Sequence, residues 1–371
     1  MRRRLLMVGR TRYTLPLSPS LERKFDALEQ ELDVRVLASR GRGSNGSDPR
    51  FRLVDALPAL DGPAFYALLP FRVARELRAG RPDAVLVQGA QETALVLLGR
   101  TLARVPARVI ADLHGDPGAP TRLYGSRTRR VLAPLADRLG RTALRRADGV
   151  RTLSPFTTEL VRGHGVEPAA EFPAFMDLDT FLERPPAPQP ADPIALFVGV
   201  LERYKAVEVL ADAWRLAAPR VPAARLRLVG RGTMREVAEG LVAEFPGRVS
   251  WTESLTTSQV AVAMDDATLL VLPSRSEGLP RIVVEAFCRG RAVIGARVGG
   301  IPDIVEEGVN GLLVASEDAA ALADALVRIL SDAALAERLG AGARGTADAW
   351  LASPEDYARR VRELVEAVCQ A

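Results

Sequence analysis

The sequence predicts an α/β protein made of two open parallel sheets. Short apolar runs alternate with segments of helical period along most of the 371 residues, the pattern of repeated βα units. The alternation breaks once, at ERPPAPQPADP (183–193), and then starts again. At about 100–200 residues per domain, the length accommodates two separate cores.

In the first half, LLMVG (5–9), VRVLA (34–38), AVLVQ (84–88), RVIAD (108–112) and GVRTLS (149–154) read as strands. Helical period marks 20–32, 64–79, 91–104, 127–147 and 155–164. Segment 183–193 holds five prolines and almost no large apolar side chain, so it reads as a semi-rigid linker. Beyond it, IALFVGV (194–200), ARLRLVG (224–230), RVSWT (248–252), ATLLVLP (267–273), AVIGA (292–296) and GLLVA (311–315) are the expected strands. Helices are expected at 205–218, 233–245, 257–265, 281–289, 318–331 and 333–345. A last amphipathic helix covers 354–369, with Ser353 as N-cap and Pro354 at its first position. The expected division is a domain over 1–183, a linker over 184–193 and a domain over 194–353. In open sheets of this kind ligands sit beyond the carboxyl ends of the strands, so the loops after strands matter most.

Composition narrows the function classes. With 48% hydrophobic and 26% charged residues, the chain is neither disordered nor fibrous. Two cysteines, Cys288 and Cys369, cannot form a disulfide framework, and two histidines, His114 and His164, leave little for a histidine-based metal centre. No apolar run reaches the roughly 18–20 residues of a membrane span. The opening MRRRLLMVGR has too short an apolar stretch for a signal peptide, which makes a cytoplasmic protein the expectation. Net charge is +4, split as +9 over residues 1–190 (30 basic, 21 acidic) and −5 over the rest. A positive first half suits an anionic partner. Arginine supplies nearly all the basic residues, and Lys24 and Lys205 are the exceptions. That invites inspection of both, because a compact ammonium and a planar fork are not interchangeable.

The most informative loop follows the strand ending at Pro273. Glu277 lies in it, at the strand's carboxyl end, where it can accept hydrogen bonds from the hydroxyls of a bound sugar. A helix opens near Arg281, and its N-terminal amides suit a phosphate. Glu285 sits in that helix among apolar residues, where a lone carboxylate is costly unless a ligand or a donor satisfies it. The spacing Arg281, Glu285, Arg289 also fits a solvated, salt-bridged stripe. Gly299-Gly300 and Pro302 mark a tight turn. In the loop after 194–200, Arg203 and Lys205 stand where cations oppose a helix dipole, which makes sense if an anion lies between them; a solvated loop is the plain alternative. Gly230-Arg231-Gly232 and the segment LMVGRTR (6–12) lack the third glycine of a dinucleotide fingerprint, which weighs against a nicotinamide-dependent dehydrogenase. In ADLHGDPG (111–118), His114 and Asp116 are flanked by glycines, and the histidine could orient a hydroxyl or stabilise a developing charge, or serve only structure. His164 reads as part of a helix end. Segment 126–148 is a basic amphipathic helix. It fits a core helix with a charged outer face, and also a helix lying on an anionic membrane.

At these loops the sequence closely resembles the retaining family-4 (group 1) glycosyltransferases of the GT-B fold. The resemblance is strong over 194–315 and weaker over 84–183. It rests on SEGLPRIVVE with its two glutamates separated by seven residues, on VGGIPDIV and GVNGLLV, on LRRADGVRTLSPFT (144–157) and on FMDLDTF (175–181). It implies two Rossmann-like domains facing each other across a cleft, with the helix over 354–371 crossing back to the first. It also implies a hexose-type transfer from a nucleotide-diphosphate sugar to a glycan, lipid-linked or small-molecule acceptor, with anomeric configuration retained and no cofactor or metal. By the same resemblance Glu277 contacts the donor sugar, Glu285 the ribose, and Gly199, Gly278, Leu279 and Pro280 line the donor site. Lys205 meets the diphosphate, and His114 faces the reacting sugar. The family's arginine after the glycine is Val200 here, so Arg203, or as second choice Arg231, is expected to supply the charge. The first loop lacks the paired glycines common in the family. Arg10, Arg12 and Lys24 are left for acceptor or phosphate, and Asp116 for the acceptor side. The alternatives are a GT-B-like sugar-nucleotide epimerase and a sugar-binding protein without catalysis.

Overall fold

A computed structural model of the chain describes residues 2–55, 61–116, 118 and 127–371, and the side chains of all of these but 61–63 and 127–133. The chain divides into two compact units, Met1–Phe175 with Ala352–Ala371, and Met176–Leu351.

In order, the first unit contains β1 (Arg4–Tyr13), α1 (Pro19–Glu31), β2 (Asp33–Arg40), β3 (Phe51–Val54), α2 (Asp61–Gly80), β4 (Ala84–Gln88) and α3 (Ala90–Ala103). It continues with β5 (Arg108–Leu113), α4 (Arg127–Arg146), β6 (Gly149–Thr152), α5 (Pro155–Arg162) and β7 (Ala170–Glu171). Among the described residues these strands form one parallel sheet in the order β3-β2-β1-β4-β5-β6-β7.

The second unit contains α6 (Asp179–Leu182), β8 (Ile194–Val198), a 3-10 turn (Arg203–Lys205), α7 (Val207–Ala217), β9 (Arg225–Val229), α8 (Arg235–Glu244), β10 (Val249–Thr252) and α9 (Thr257–Asp265). After these come β11 (Leu269–Leu272), α10 (Arg281–Cys288), β12 (Ala292–Ala296), α11 (Ile301–Ile304), β13 (Gly311–Val314), α12 (Ala319–Leu330) and α13 (Ala333–Ala347). Its sheet is also parallel, in the order β10-β9-β8-β11-β12-β13. Each unit is therefore a Rossmann-like α/β layer structure, as expected. The central strands β4, β11 and β12 are buried along nearly their whole length, which is why they read as continuous apolar runs.

The last helix, α14 (Pro354–Gln370), belongs to the first unit. Ser353 caps it by accepting from the Asp356 amide at 3.0 Å. Its apolar face, Tyr357, Ala358, Val361, Leu364, Val365 and Val368, is buried in the core that holds Phe25 and Leu28 of α1.

Three expectations need correction. The boundary falls at Phe175/Met176, not at 183/184, because Leu178 and Phe181 are buried in the core of the second unit, and the proline-rich segment packs onto that unit too. A polyproline-like stretch leaves its carbonyls without internal partners, and two buried arginines satisfy them here. Arg289 donates to the carbonyls of Arg184 (2.6 Å) and Pro185 (2.9 Å), and Arg291 to those of Ala187 (2.8 Å) and Pro188 (3.1 Å). Arg289 is consequently no part of a solvated stripe: it is buried and also paired with Asp265 at 2.7 Å. In α4, Leu144 is buried as a core residue should be, but Leu135 and Leu139 are exposed at 57% and 52%. Arg127, Arg129, Arg130 and Leu132 of the same segment have side chains outside the described set, as does residue 126 altogether. Among the described residues, no helix is long and apolar enough to cross a membrane.

Candidate active site

In the second unit, the loops after β8, β9 and β11 converge at the carboxyl ends of their strands. The side chains that the sequence singled out meet there. Lys205 Nζ lies 2.5 Å from Glu277 Oε1, and the buried Ser274 hydroxyl donates to the same oxygen at 2.7 Å. Lys205 is itself buried, so its charge is met chiefly by Glu277 rather than by water. Both bonds land on Oε1 of Glu277.

The loops are tied by backbone. Arg275 N donates to Tyr204 O at 2.7 Å, and the Arg275 guanidinium pairs with Glu208 (2.8 Å) and Glu317 (2.7 Å) while also donating to Arg203 O. Leu201 N donates to Arg231 O at 2.9 Å, and Thr233 is held by the Glu202 carboxylate. This crossing requires glycine: Gly230 has φ +147°, and a Cβ there would stand 1.7 Å from Gly199 O. The side chains of Arg203 and Arg231 are exposed on these crossing loops. Gly299 is equally constrained. Its φ is +56°, an added Cβ would lie 2.0 Å from Glu277 O, and the next amide, Gly300 N, donates to that carbonyl at 3.1 Å. The Gly-Gly turn therefore seats the Glu277 loop.

Gly278 and Leu279 are half-buried, and Pro280 occupies the N-cap of α10 without a side-chain cap, leaving first-turn amides for a ligand. Glu285 is buried in the second turn of that helix. Burial pushes its carboxyl up, against the pull of Arg281, whose Nε lies 2.6 Å from Oε1. Arg281 is anchored in turn on the Asp177 carbonyl.

In the first unit, a second polar cluster lies at the carboxyl ends of β4, β5 and β6. Gln88, Asp112 and Arg151 are register partners across the three strands. His114 follows β5, two residues beyond Asp112 and so on the same side of the chain. Its Nε2 is 2.9 Å from Asp112 Oδ2, while Arg151 Nη1 donates to Asp112 Oδ1 at 2.7 Å. Burial pushes the Asp112 carboxyl up, but Arg151 and His114 outweigh it and hold the group well below the usual carboxylate range. Arg151 is fully buried, donates to the carbonyls of Phe172 (2.9 Å) and Pro173 (2.8 Å), and stacks against the Phe172 ring at 4.0 Å. Lys24 joins this cluster: its ammonium sits 5.1 Å from the ring centres of both Phe25 and Tyr357. Asp116 accepts from Gly118 N at 2.8 Å, which closes its own loop, and Arg12 is exposed near the end of β1. Among the described residues no group of His, Cys, Asp and Glu is arranged to hold a metal ion.

Comparison with known families decides what this geometry belongs to. The family model described as glycosyl transferases group 1 matches residues 192–332, and the one described as glycosyl transferase 4-like domain matches residues 17–172. The chain belongs to the family-4, group 1 glycosyltransferases. Relatives in the family include the D-inositol 3-phosphate glycosyltransferase of Streptomyces griseus subsp. griseus, 29% identical over 72% of this chain and 64% of that protein. The sulfoquinovosyl transferase SQD2 of Arabidopsis thaliana is 31% identical over 42% of this chain and 30% of its own length. The chain thus spans less than two thirds of these curated relatives. Among solved structures, sucrose-phosphate synthase of Thermosynechococcus elongatus aligns over 98% of both chains with a TM-score of 0.75 and 22% identity. Anabaena HepE in complex with UDP-glucose aligns over 99% of both with a TM-score of 0.69 and 17% identity. These likenesses show the fold, GT-B.

Within this group 1 glycosyltransferase fold, the structure brings together Lys205, Glu277 and Gly199, with Gly278 to Pro280 on the same loop and Glu285 in the helix that follows. Arg203 and Arg231 stand on neighbouring loops. His114, Asp116, Arg12 and Lys24 belong to the other unit. Sequence reasoning missed Ser274, Gln88, Asp112 and Arg151. Asp112 had a readable signal, since residues i and i+2 at a strand end share a face. Arg151 had none, because its register against Asp112 is a property of the folded sheet.

Proposed function

We propose that this chain is a retaining glycosyltransferase that moves a hexose-type sugar from a nucleotide-diphosphate donor to a hydroxyl of a glycan, lipid-linked or small-molecule acceptor, without a metal or cofactor. The observation that carries the reading is the Lys205–Glu277–Ser274 cluster at the ends of β8 and β11, beside the uncapped first turn of α10. On this reading the diphosphate takes over Lys205, whose ammonium then stabilises the leaving group together with the α10 amides and the exposed guanidiniums of Arg203 and Arg231. Glu277, relieved of part of its ion pair, accepts hydroxyls of the donor sugar. Buried Glu285, already paired with Arg281, accepts the ribose hydroxyls. His114 faces the sugar that reacts, and Lys24 and Arg12 serve the acceptor side. The HepE structures in complex with UDP and with UDP-glucose support a nucleotide sugar and make a uridine donor the first to try. Retention of configuration rests on the family resemblance. The epimerase reading gains no support from the comparisons.

A thermal-shift panel of UDP-, GDP- and ADP-sugars followed by donor incubation with enzyme alone tests the proposal. Slow release of nucleoside diphosphate, unaffected by EDTA, is expected; reversible sugar interconversion would mean epimerisation instead. Glu285→Ala should abolish donor binding with the fold intact, and Lys205→Ala should slow turnover at least ~100-fold.

A peripheral membrane contact through helix 126–148 is a second proposal. It is supported by Leu135 and Leu139, exposed beside the exposed Arg138, Arg141 and Arg145. Sedimentation with vesicles containing anionic lipid, at low and high salt, should pull the chain down at low salt, and Leu135→Glu/Leu139→Glu should release it.

A further inference from the structure

The ring of His114 is held on one side by a group whose hydrogen-bonding role is already decided. On one side, Asp112 is a buried carboxylate whose Oδ1 is taken by Arg151 at 2.7 Å, so Oδ2 accepts from His114 Nε2 at 2.9 Å. A carboxylate has no proton to offer, so Nε2 must carry one. On the other side, Gln88 Nε2 lies 3.4 Å from His114 Nδ1. In this orientation the amide oxygen accepts from the Thr11 hydroxyl at 2.7 Å and the amide NH2 faces Nδ1. A hydroxyl can equally accept, so the amide follows the ring, and it is the proton on Nε2 that leaves Nδ1 of the neutral ring as the accepting nitrogen.

The carboxylate cannot switch roles easily. Arg151 is clamped by two backbone carbonyls and by the Phe172 ring, Tyr357 of α14 lies 5.7 Å beyond it, and the Lys24 ammonium from α1 adds a further positive charge over the Tyr357 ring. The other charged and titratable groups facing Asp112 therefore either favour its ionised form, as the cations do, or are a neutral phenol.

We propose that Arg151 and Asp112 lock the neutral ring of His114 as the Nε2–H tautomer, so that it meets a substrate hydroxyl as a hydrogen-bond acceptor through Nδ1, not as a proton donor. The inference rests on the assignment of His114 to the reaction only for its last clause; the tautomer itself is a property of the free protein. Asp112 and Arg151 are then positioning residues. The Gln88 contact, long for a hydrogen bond, is the one a substrate hydroxyl would replace.

The chain has two histidines, so the test is clean. Full-length protein carrying His164→Gln is labelled with 15N-histidine, and two-bond 1H–15N correlation spectra are recorded at pH 8.5 without donor. A single neutral ring with its proton on Nε2 is expected. A ring protonated on Nδ1, alone or as the imidazolium, would overturn the lock. Asp112→Asn, whose amide can donate to the ring, should shift the proton to Nδ1; an unchanged tautomer in a folded variant would remove Asp112 from its role. If that variant does not fold, Gln88→Leu is read instead and must keep Nε2–H. Because no donor is present, these outcomes are independent of whether nucleoside diphosphate is released in the transfer assay.

Discussion

At the scale of single residues, the two lysines of this arginine-rich chain turn out to stand in special surroundings. Lys205 is buried against Glu277, and Lys24 is packed among Phe25, Tyr357 and the Arg151–Asp112 pair. Burial first, and Arg151 second, lower the Lys24 pKa from its ordinary 10.5 to about 8, with Asp112 opposing. The folded chain thus binds this proton less tightly than the unfolded chain, so the unfolded chain holds more protons between about pH 8 and 10.5, and stability rises with pH across that window. Below about pH 8 the penalty is fully present. Lys24→Met should flatten the rise in Tm measured from pH 8 to 10, and an unchanged slope would show that the ammonium reaches water. Asp112 works in the opposite sense. Its carboxyl is held below the ordinary 3.8, so the stability it contributes is complete above that value and fades as pH falls beneath it. Glu277 and Glu285 drew notice singly, on a loop after a strand and in an apolar helix, and were legible as a pair only through the family resemblance. The i, i+4 spacing did suggest the Arg281–Glu285 pair; what it could not reveal is that Arg289 leaves the stripe altogether to hold Asp265 and the proline segment.

At the scale of elements, strands with dense Val, Ile and Leu runs were readable to within a few residues; β4 and β12 coincide with AVLVQ and AVIGA. The short edge strands β3 and β7 were not, because an edge strand needs no continuous apolar run and β7 is only Ala170–Glu171. Short helices such as α6 and α11 also escaped, being too brief to display a period. The proline segment was correctly seen to be neither helix nor strand. That it packs against the second unit was not legible, because its carbonyl partners, Arg289 and Arg291, lie about a hundred residues further along the chain. The Gly299-Gly300 turn, unremarkable in sequence, is the support of the Glu277 loop. Gly299→Ala combines a left-handed backbone with a Cβ 2.0 Å from a carbonyl oxygen. It should cost about 1–3 kcal/mol in denaturant unfolding and weaken donor binding as Glu277 is displaced. Donor affinity equal to that of the original chain would show that the loop is held by other contacts.

At the scale of the whole molecule, two parallel-sheet units were legible from the alternation of strands and helices and from its single interruption. Their boundary was not, since it depends on which sheet the intervening segment packs upon. The first unit is assembled from two distant stretches, 1–175 and 352–371, whereas the second is continuous. Removing residues 352–371 would uncover the apolar groove that Tyr357, Val361, Leu364, Val365 and Val368 fill. The truncated chain should lose the cooperative melting of the first unit and bind a hydrophobic dye, while a chain that melted as before would show the helix to be dispensable. The same connectivity governs the order of events during synthesis. Every residue of the second unit leaves the ribosome before α14 does, so a nascent chain can complete its second half while its first half still lacks a wall. The portion translated earliest is the one that must wait for the chain's end to close its seam.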